Sequence, residues 1–349
     1  MTVKGLHPLI AVLSRDDRKQ SEYRPNMRRA YLAVVLSLVL IAGCSTSTNA
    51  VSAGPSWSKP IQVEGTGLSS DYRSLYGVSC PSSTVCVAVD ENGSALFWRD
   101  GKWSTPQSVG AGGTLTSVSC PTSTFCTALS SGGSAVTYDG RSWSPPVSVG
   151  STATYEVSCP TVAFCATVGA SGMPGGPSTV GTFNGHSWST FQTPPAGTVS
   201  DRLMDVSCAT ESFCVAVNLN GQTLTFDGTK WSASRGKFAK GLISVSCPST
   251  SFCMAVEVSG SYVTFDGKSW STPSVIPGFQ TGLARSVSCS SATACTIVGL
   301  SGMAASWHQG RWSIPVRVFS GGYLATVAVS CTTPNDCMAV NNKGSASSY

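Results

Sequence analysis

Cysteine is the residue of this chain with the most chemistry to offer. Of the fifteen, fourteen fall into seven pairs of one spacing: Cys80/Cys86, Cys120/Cys126, Cys159/Cys165, Cys208/Cys214, Cys247/Cys253, Cys289/Cys295 and Cys331/Cys337. Thiols this close can close a disulfide across a tight turn or hold a soft metal such as zinc. Five intervening residues is not a usual zinc-ligand spacing, and exported thiols oxidise. The expectation is seven disulfides, each within its own pair, and no metal or other cofactor. These fourteen cysteines therefore stand among the candidate functional residues as staples across a hairpin. Cys44 is the fifteenth and has no partner in this scheme.

Acid–base chemistry has less to draw on. After Cys44 the histidines are His186 and His308, and 14 acids are spread over 305 residues. Paired carboxylates can hydrolyse glycosides, but Asp100, Asp139, Asp227 and Asp266 each fall in a turn-forming phrase. No Gly-x-Ser-x-Gly elbow and no two-histidine metal phrase is present. A Ser/His/Asp triad assembles from distant segments, so sequence alone leaves it open.

The elements that must carry these residues repeat. Each cysteine pair begins with Val-Ser-Cys, and its repeat ends in Trp-Ser at Trp57, Trp103, Trp143, Trp188, Trp231, Trp270 or Trp312. First cysteines are spaced by 40, 39, 49, 39, 42 and 42 residues. A period near forty with short alternating strands is the signature of an all-β propeller, one four-stranded antiparallel blade per repeat. In the fifth repeat, strands are expected at 243–247, 253–257, 261–265 and 270–275. Asp266-Gly267 is expected as a two-residue hairpin turn with positive φ. A tryptophan at one phase of every blade, together with Trp98 and Trp307, fits packing between blades better than carbohydrate stacking.

Chain ends supply the test of a closed ring. The first Trp-Ser phrase, at Trp57, has no cysteine phrase before it, and the last cysteine phrase has no Trp-Ser after it. Residues 56–349 therefore predict a seven-bladed propeller whose last blade takes its outer strand from the N-terminus. An open solenoid would need polar caps instead.

Ahead of the repeats, Met27-Arg28-Arg29 and the apolar run from Ala30 to Ala42 have the form of a signal peptide, too short to span a bilayer comfortably. Ile41-Ala42-Gly43-Cys44 resembles the lipobox of bacterial lipoproteins. The resemblance implies cleavage before Cys44 and multiple acylation of that cysteine, which would hold the chain on a membrane surface. The domain reading is 1–26 as an extension from a mis-called start, 27–43 as lipoprotein signal peptide, 44–55 as lipidated cysteine and flexible tether, and 56–349 as propeller. The location expected is extracytoplasmic, on the bacterial cell membrane. The net charge of +5 divides into +4 up to Cys44 and +1 beyond it, which excludes nucleic acid as an expected partner of the repeats.

The phrases Tyr138–Trp143 and Phe265–Trp270 resemble the Asp-box of sialidase-like propellers. They depart from it by one residue, since Asp266 precedes Trp270 by four positions where the Asp-box has five, and Asn184 and Gln309 replace the Asp in two repeats. The resemblance speaks to fold, because Asp-boxes are structural turns. No Arg-Ile-Pro phrase stands near the first strand, as a sialidase would carry. The whole of 56–349 is also similar to secreted propeller lipoproteins of high-GC Gram-positive bacteria, which implies an envelope location and no specific reaction.

A ligand face is expected where loops vary over a constant frame. Against the Ser/Gly background, the inter-blade segments place Asp71, Arg73 and Tyr76; Tyr155 and Glu156; Asp201, Arg202 and Asp205; Phe279 and Arg285; and Tyr323. The third repeat also carries an insertion at 169–178. These residues fit a surface that recognises envelope glycan or protein, and they fit equally well as solvated loop residues with no common ligand. The first functional reading is a monomeric, non-catalytic binding module. The alternatives are a sialidase-like glycoside hydrolase of envelope glycans and a scaffold with no small ligand.

Overall fold

Seven sheets stand in a ring around a central channel in the computed structural model, which describes residues 56–63, 74–150, 153–171, 176–189, 191–195, 199, 202–233, 238, 241–279, 284–320 and 326–349. No described residue is helical. The leader, Cys44 and the tether lie outside the described residues.

Each blade begins with an inner strand that carries Val-Ser-Cys. These are Leu75–Ser82, Leu115–Thr122, Ala153–Thr161, Leu203–Thr210, Leu242–Ser249, Ala284–Ser291 and Thr326–Thr333, in blades 1 to 7. Each pairs antiparallel with a second strand that is almost wholly buried, such as Phe252–Glu257, and that strand pairs with a third, such as Ser261–Phe265. The second strands read as continuous apolar runs because both of their faces meet neighbouring blades. Outer strands are short, and in blade 3 the fourth strand is reduced to two bridges, Phe183–Trp188 and Val180–Gln192.

Seven disulfides form within their own repeats, Cys80–Cys86, Cys120–Cys126, Cys159–Cys165, Cys208–Cys214, Cys247–Cys253, Cys289–Cys295 and Cys331–Cys337, with Cα–Cα distances of 3.9–4.1 Å. The pairing is the one expected, across the hairpin of the first and second strands, as in Cys208 with Cys214 and Cys289 with Cys295, and its setting adds burial. The second cysteine of every pair is buried: Cys86, Cys126, Cys165, Cys214, Cys253, Cys295 and Cys337 are 0–3% exposed. Each lies on a second strand, held between neighbouring blades, and each belongs to a different one of the apolar clusters there. Those seven residues are core residues, and none of them lines the channel. A disulfided cysteine packs as a small apolar group, which is why the buried strand accepts it. Each bridge closes a loop of only a few residues, which removes roughly 2 kcal/mol of unfolded-chain entropy.

The ring closes as the chain ends require. Ile61–Gln62 pairs with Ser345–Ser348 in the last blade, matching Ile61 with Ala346. The Trp57 ring packs edge-on to Tyr349, the last residue, at 4.7 Å.

Buried apolar residues divide into seven clusters, one for each interface between adjacent blades. The repeat tryptophans belong to them: Trp143 packs on Phe97 of the preceding blade, and Trp312 packs edge-on to Tyr262. The residue before the second cysteine adds a stack across four of the interfaces. Phe125, Phe164, Phe213 and Phe252 lie against Phe183, Phe226, Phe265 and Trp307. Asp336 and Val85 hold this position in blades 7 and 1, and cavities of about 160 and 220 Å³ open beside them.

Polar links close the ring as well. The serine of each Val-Ser-Cys accepts a hydrogen bond from the cysteine N–H of the next blade. Cys120, Cys159, Cys208, Cys247, Cys289, Cys331 and Cys80 donate to Ser79, Ser119, Ser158, Ser207, Ser246, Ser288 and Ser330 at 2.9–3.0 Å. Every inner strand is thus tied to the next, which explains why Ser recurs there: a short hydroxyl reaches one blade over and no further. Ser246→Ala should leave the Cys289 N–H unpaired and cost about 1–3 kcal/mol, measured as a shift in the denaturant midpoint with the slope unchanged.

The turns between third and fourth strands follow the Asp-Gly expectation in one blade and depart from it in others. Asp100-Gly101 and Gln309-Gly310 are two-residue turns with positive φ at both positions (50° and 76°; 48° and 83°). At Asp266 the loop has four residues, and only Gly267 takes positive φ. The Asp266 carboxylate accepts the N–H groups of Lys268 and Ser269 at 2.9 and 2.7 Å, and Asp139, Asn184 and Asp227 do the same in their blades. A side chain that satisfies two turn amides favours the wider loop over the tight one.

Candidate functional site

The channel is where the repeat breaks down. Its wall comes from the inner strands, and it encloses a cavity of about 600 Å³. Aligning the seven strands on their cysteines puts Gly77, Ser117, Glu156, Asp205, Ser244, Ser286 and Ala328 at one level, three residues before the first cysteine. One residue earlier, at a bulge in the pairing with the second strand, Tyr76, Thr116, Met204, Ile243, Arg285 and Val327 line the same cavity.

Serine at the first of these levels makes a second set of inter-blade links. Ser117 accepts from the N–H of Val157 at 3.2 Å, Ser244 from Val287 at 3.2 Å and Ser286 from Val329 at 3.4 Å. Asp205 does the same work in blade 4, where one carboxylate oxygen accepts the Val245 N–H at 2.8 Å and the other accepts the N–H of Val206 at 2.7 Å. Glu156, on the neighbouring blade, has no such backbone link forward, because Val206 donates to Asp205 instead.

Two half-buried carboxyls on adjacent blades therefore line one serine-rich cavity, near enough for the charge of Asp205 to act on Glu156. Burial, and then the charge of Asp205, push the Glu156 carboxyl up to about 8; the Ser117 hydroxyl and the Arg285 guanidinium oppose the rise. Burial also raises Asp205, to about 6, against the Val245 amide, the Ser244 hydroxyl and Arg285. Removing two carboxylates from water side by side favours keeping a proton between them. Asp139, Asp227 and Asp266 are displaced the opposite way by the turn amides and hydroxyls they accept, which marks them as structural caps.

The expected ligand-face residues separate into three groups. Tyr76, Glu156, Asp205 and Arg285 are brought together, but as residues of inner strands rather than inter-blade loops. The strands begin earlier than the cysteine phrase because the alternation that buries Leu75, Leu203 and Ala284 runs ahead of it. Phe279 is buried in the cluster between blades 5 and 6 and serves the core. Asp71, Arg73, Asp201, Tyr323 and the side chain of Tyr155 lie outside the described residues, as does part of the 169–178 insertion. Arg202 is half-buried just ahead of the blade 4 inner strand. His186 and His308 are exposed at the outer turns, away from the channel.

Ser117 and Ser244 were not singled out from sequence, yet each supports one of the acids. The signal was present in the repeat itself, since aligning it on the cysteines exposes one level written Gly, Ser, Glu, Asp, Ser, Ser, Ala. No group of three or more His, Cys, Asp or Glu side chains suited to a metal ion occurs among the described residues.

Neither a protein-family model nor a curated protein sequence matches the chain. Solved structures do. A structure described as YCF48 bound to D1 peptide aligns with a TM-score of 0.63 at 14% identity, covering 87% of this chain and 99% of that one. A structure of U3-55K aligns with a TM-score of 0.67 at 9% identity, covering 84% and 99%. The likeness is one of fold: this chain is a seven-bladed, disulfide-stapled propeller.

Proposed function

We propose that the chain is a non-catalytic binding propeller, held by lipid on Cys44 at the outer face of the cell membrane, which receives a polypeptide partner at the mouth of its central channel. The observation that carries this reading is the concentration of Glu156, Asp205 and Arg285 in the channel wall, where the other blades present small or neutral residues. A rigid ring with irregular chemistry in its bore has the form of a recognition site. The seven disulfides belong to an oxidising compartment, in keeping with the lipobox. The YCF48 structure, of the same fold, holds a peptide, which supports polypeptide over glycan.

A second reading, glycoside hydrolysis, draws on the carboxyl pair, because two acids held at different proton affinities suit acid–base work. Against it, Asp205 stands where serine makes the same inter-blade link in other blades and accepts the amides of Val206 and Val245, which accounts for its presence without a reaction.

The test is a pull-down with the purified full-length protein against solubilised envelope proteins and cell-wall polysaccharide. Its control is Glu156→Gln/Arg285→Met. Saturable retention of a protein by the parent, weakened about tenfold or more in the control, is the expected result. Retention of polysaccharide alone would move the reading to glycan. Release of reducing sugar that Glu156→Gln abolishes would replace it with hydrolysis.

A further inference from the structure

The repeats provide an internal comparison that shows what the ring needs and what it does not. Closure is served by the Val-Ser-Cys serines in all seven blades. At the level of Glu156 a serine suffices in three blades, and Gly77 and Ala328 suffice in two more. Closure does not call for the longer carboxyl of Glu156, and Arg285, whose charge favours the ionised acids, stands where other blades place Thr116, Met204, Ile243 or Val327. Burying unneeded charge is costly, so these residues answer to something other than closure.

Charge balance narrows what that is. Among the described lining residues the charged side chains are Glu156, Asp205 and Arg285. With both acids ionised they leave one negative charge in the bore. A divalent metal would overshoot by one charge beside a guanidinium, and it would find only two carboxylates. A single organic cation closes the balance. Beside the acids, Met204 and Ile243 offer an apolar wall suited to a methylene stem whose end is charged.

We propose that the channel receives one lysine side chain of a polypeptide partner, with its ammonium between Glu156 and Asp205 and its stem against Met204 and Ile243. This deepens the binding reading and rests on it. Proton linkage then follows. Burial and mutual repulsion strengthen the hold of Glu156 on its proton despite Arg285, whereas a lysine ammonium stays charged to about pH 10. The entering ammonium displaces that proton, so affinity climbs with pH. The groups facing Glu156 across the cavity are Asp205, Arg285 and the Tyr76 phenol.

The experiment is ligand-observed NMR and calorimetry on the full-length protein with acetyl-Ala-Lys-Ala-amide. Its norleucine counterpart and calcium chloride serve as competing probes. The expected result is one saturable site that tightens about tenfold between pH 6 and pH 8.5, with net proton release. Glu156→Gln, close in size to the native residue, should weaken it about tenfold and remove the pH slope. Equal binding of the norleucine peptide, calcium binding in place of the lysine peptide, or no saturable binding would each overturn the proposal. If the lysine peptide fails while the pull-down still retains a protein through Glu156 and Arg285, the lysine inference falls and the binding reading stands. If the lysine peptide binds but no envelope protein is retained, the site is upheld and the envelope partner is not.

Discussion

Deleting residues 56–63 should open the ring and lower the melting temperature by on the order of 10 °C. This segment is the outer strand of blade 7 and is its link to the beginning of the chain. Ser58 donates its N–H to Ser348 at 2.7 Å, Val63 to Gly344 at 2.9 Å, and the Gln62 side chain to the Lys343 carbonyl at 2.8 Å. Trp57 covers Tyr349, whose hydroxyl in turn donates to the Pro334 carbonyl and lies 3.1 Å from Ser306 of blade 6. Losing a packed tryptophan costs about 3 kcal/mol or more, and each hydrogen bond about 1 kcal/mol. Trp57→Ala alone should carry most of the loss. Scanning calorimetry under non-reducing conditions reads it, and hydrogen exchange at Ser345–Ser348 should rise in parallel. An unchanged melting curve would mean that blade 7 stands without its N-terminal strand.

The second large effect is a stability that falls as pH rises through neutrality. The folded chain holds the Glu156 proton more tightly than the unfolded chain does, with its carboxyl raised from 4.5 to about 8. Stability from this site is therefore complete below pH 4.5 and is lost as pH climbs toward 8. Asp205, raised from 3.8 to about 6, contributes in the same direction over a lower window. One pKa unit corresponds to about 1.4 kcal/mol. Both groups keep some contact with the water of the channel, so a combined loss of about 2–3 kcal/mol between about pH 5 and pH 8.5 is expected. At the acid end, Asp139, Asp227 and Asp266 act oppositely, and their support is lost as pH falls below 3.8. Glu156→Gln carries no charge to bury. It should match the parent near pH 4 and exceed it at about pH 8.5 by about 2 kcal/mol in urea denaturation. Identical pH profiles for the two proteins would show that the acid pair is well solvated.

Most of the architecture was legible in the sequence because the repeat carries it. The cysteine spacing sets the first hairpin, Trp-Ser the outer packing, and the two incomplete chain ends the closure by Ile61–Gln62. Spacing did not say which way the bridges face. That Cys253 and its six counterparts sit inside the blade interfaces follows from the continuous apolar run after each of them, a feature of the second strand rather than of the pair. The turn at Asp266 was misjudged for a local reason. An Asp-Gly pair permits a tight turn, but a carboxylate within reach of the next two amides selects a wider one, and residue pairs do not register that competition. The candidate site was half legible. Glu156, Asp205 and Arg285 stood out as charges against a Ser/Gly background, but strand and loop could not be separated where the bulge before each Val-Ser-Cys interrupts the alternation. That Glu156 and Asp205 meet follows from their shared register on neighbouring blades, a relation that appears only once the repeats are superposed.

The most direct test of the channel as the binding site is hydrogen–deuterium exchange of the protein with and without the partner retained in the pull-down. Protection concentrated at the starts of the inner strands, in Leu75–Gly77, Leu203–Asp205 and Ala284–Ser286, is the result predicted. Protection confined to the outer strands around Trp103, Trp231 and Trp312, with the channel strands unchanged, would contradict the account and move recognition to the rim of the disc.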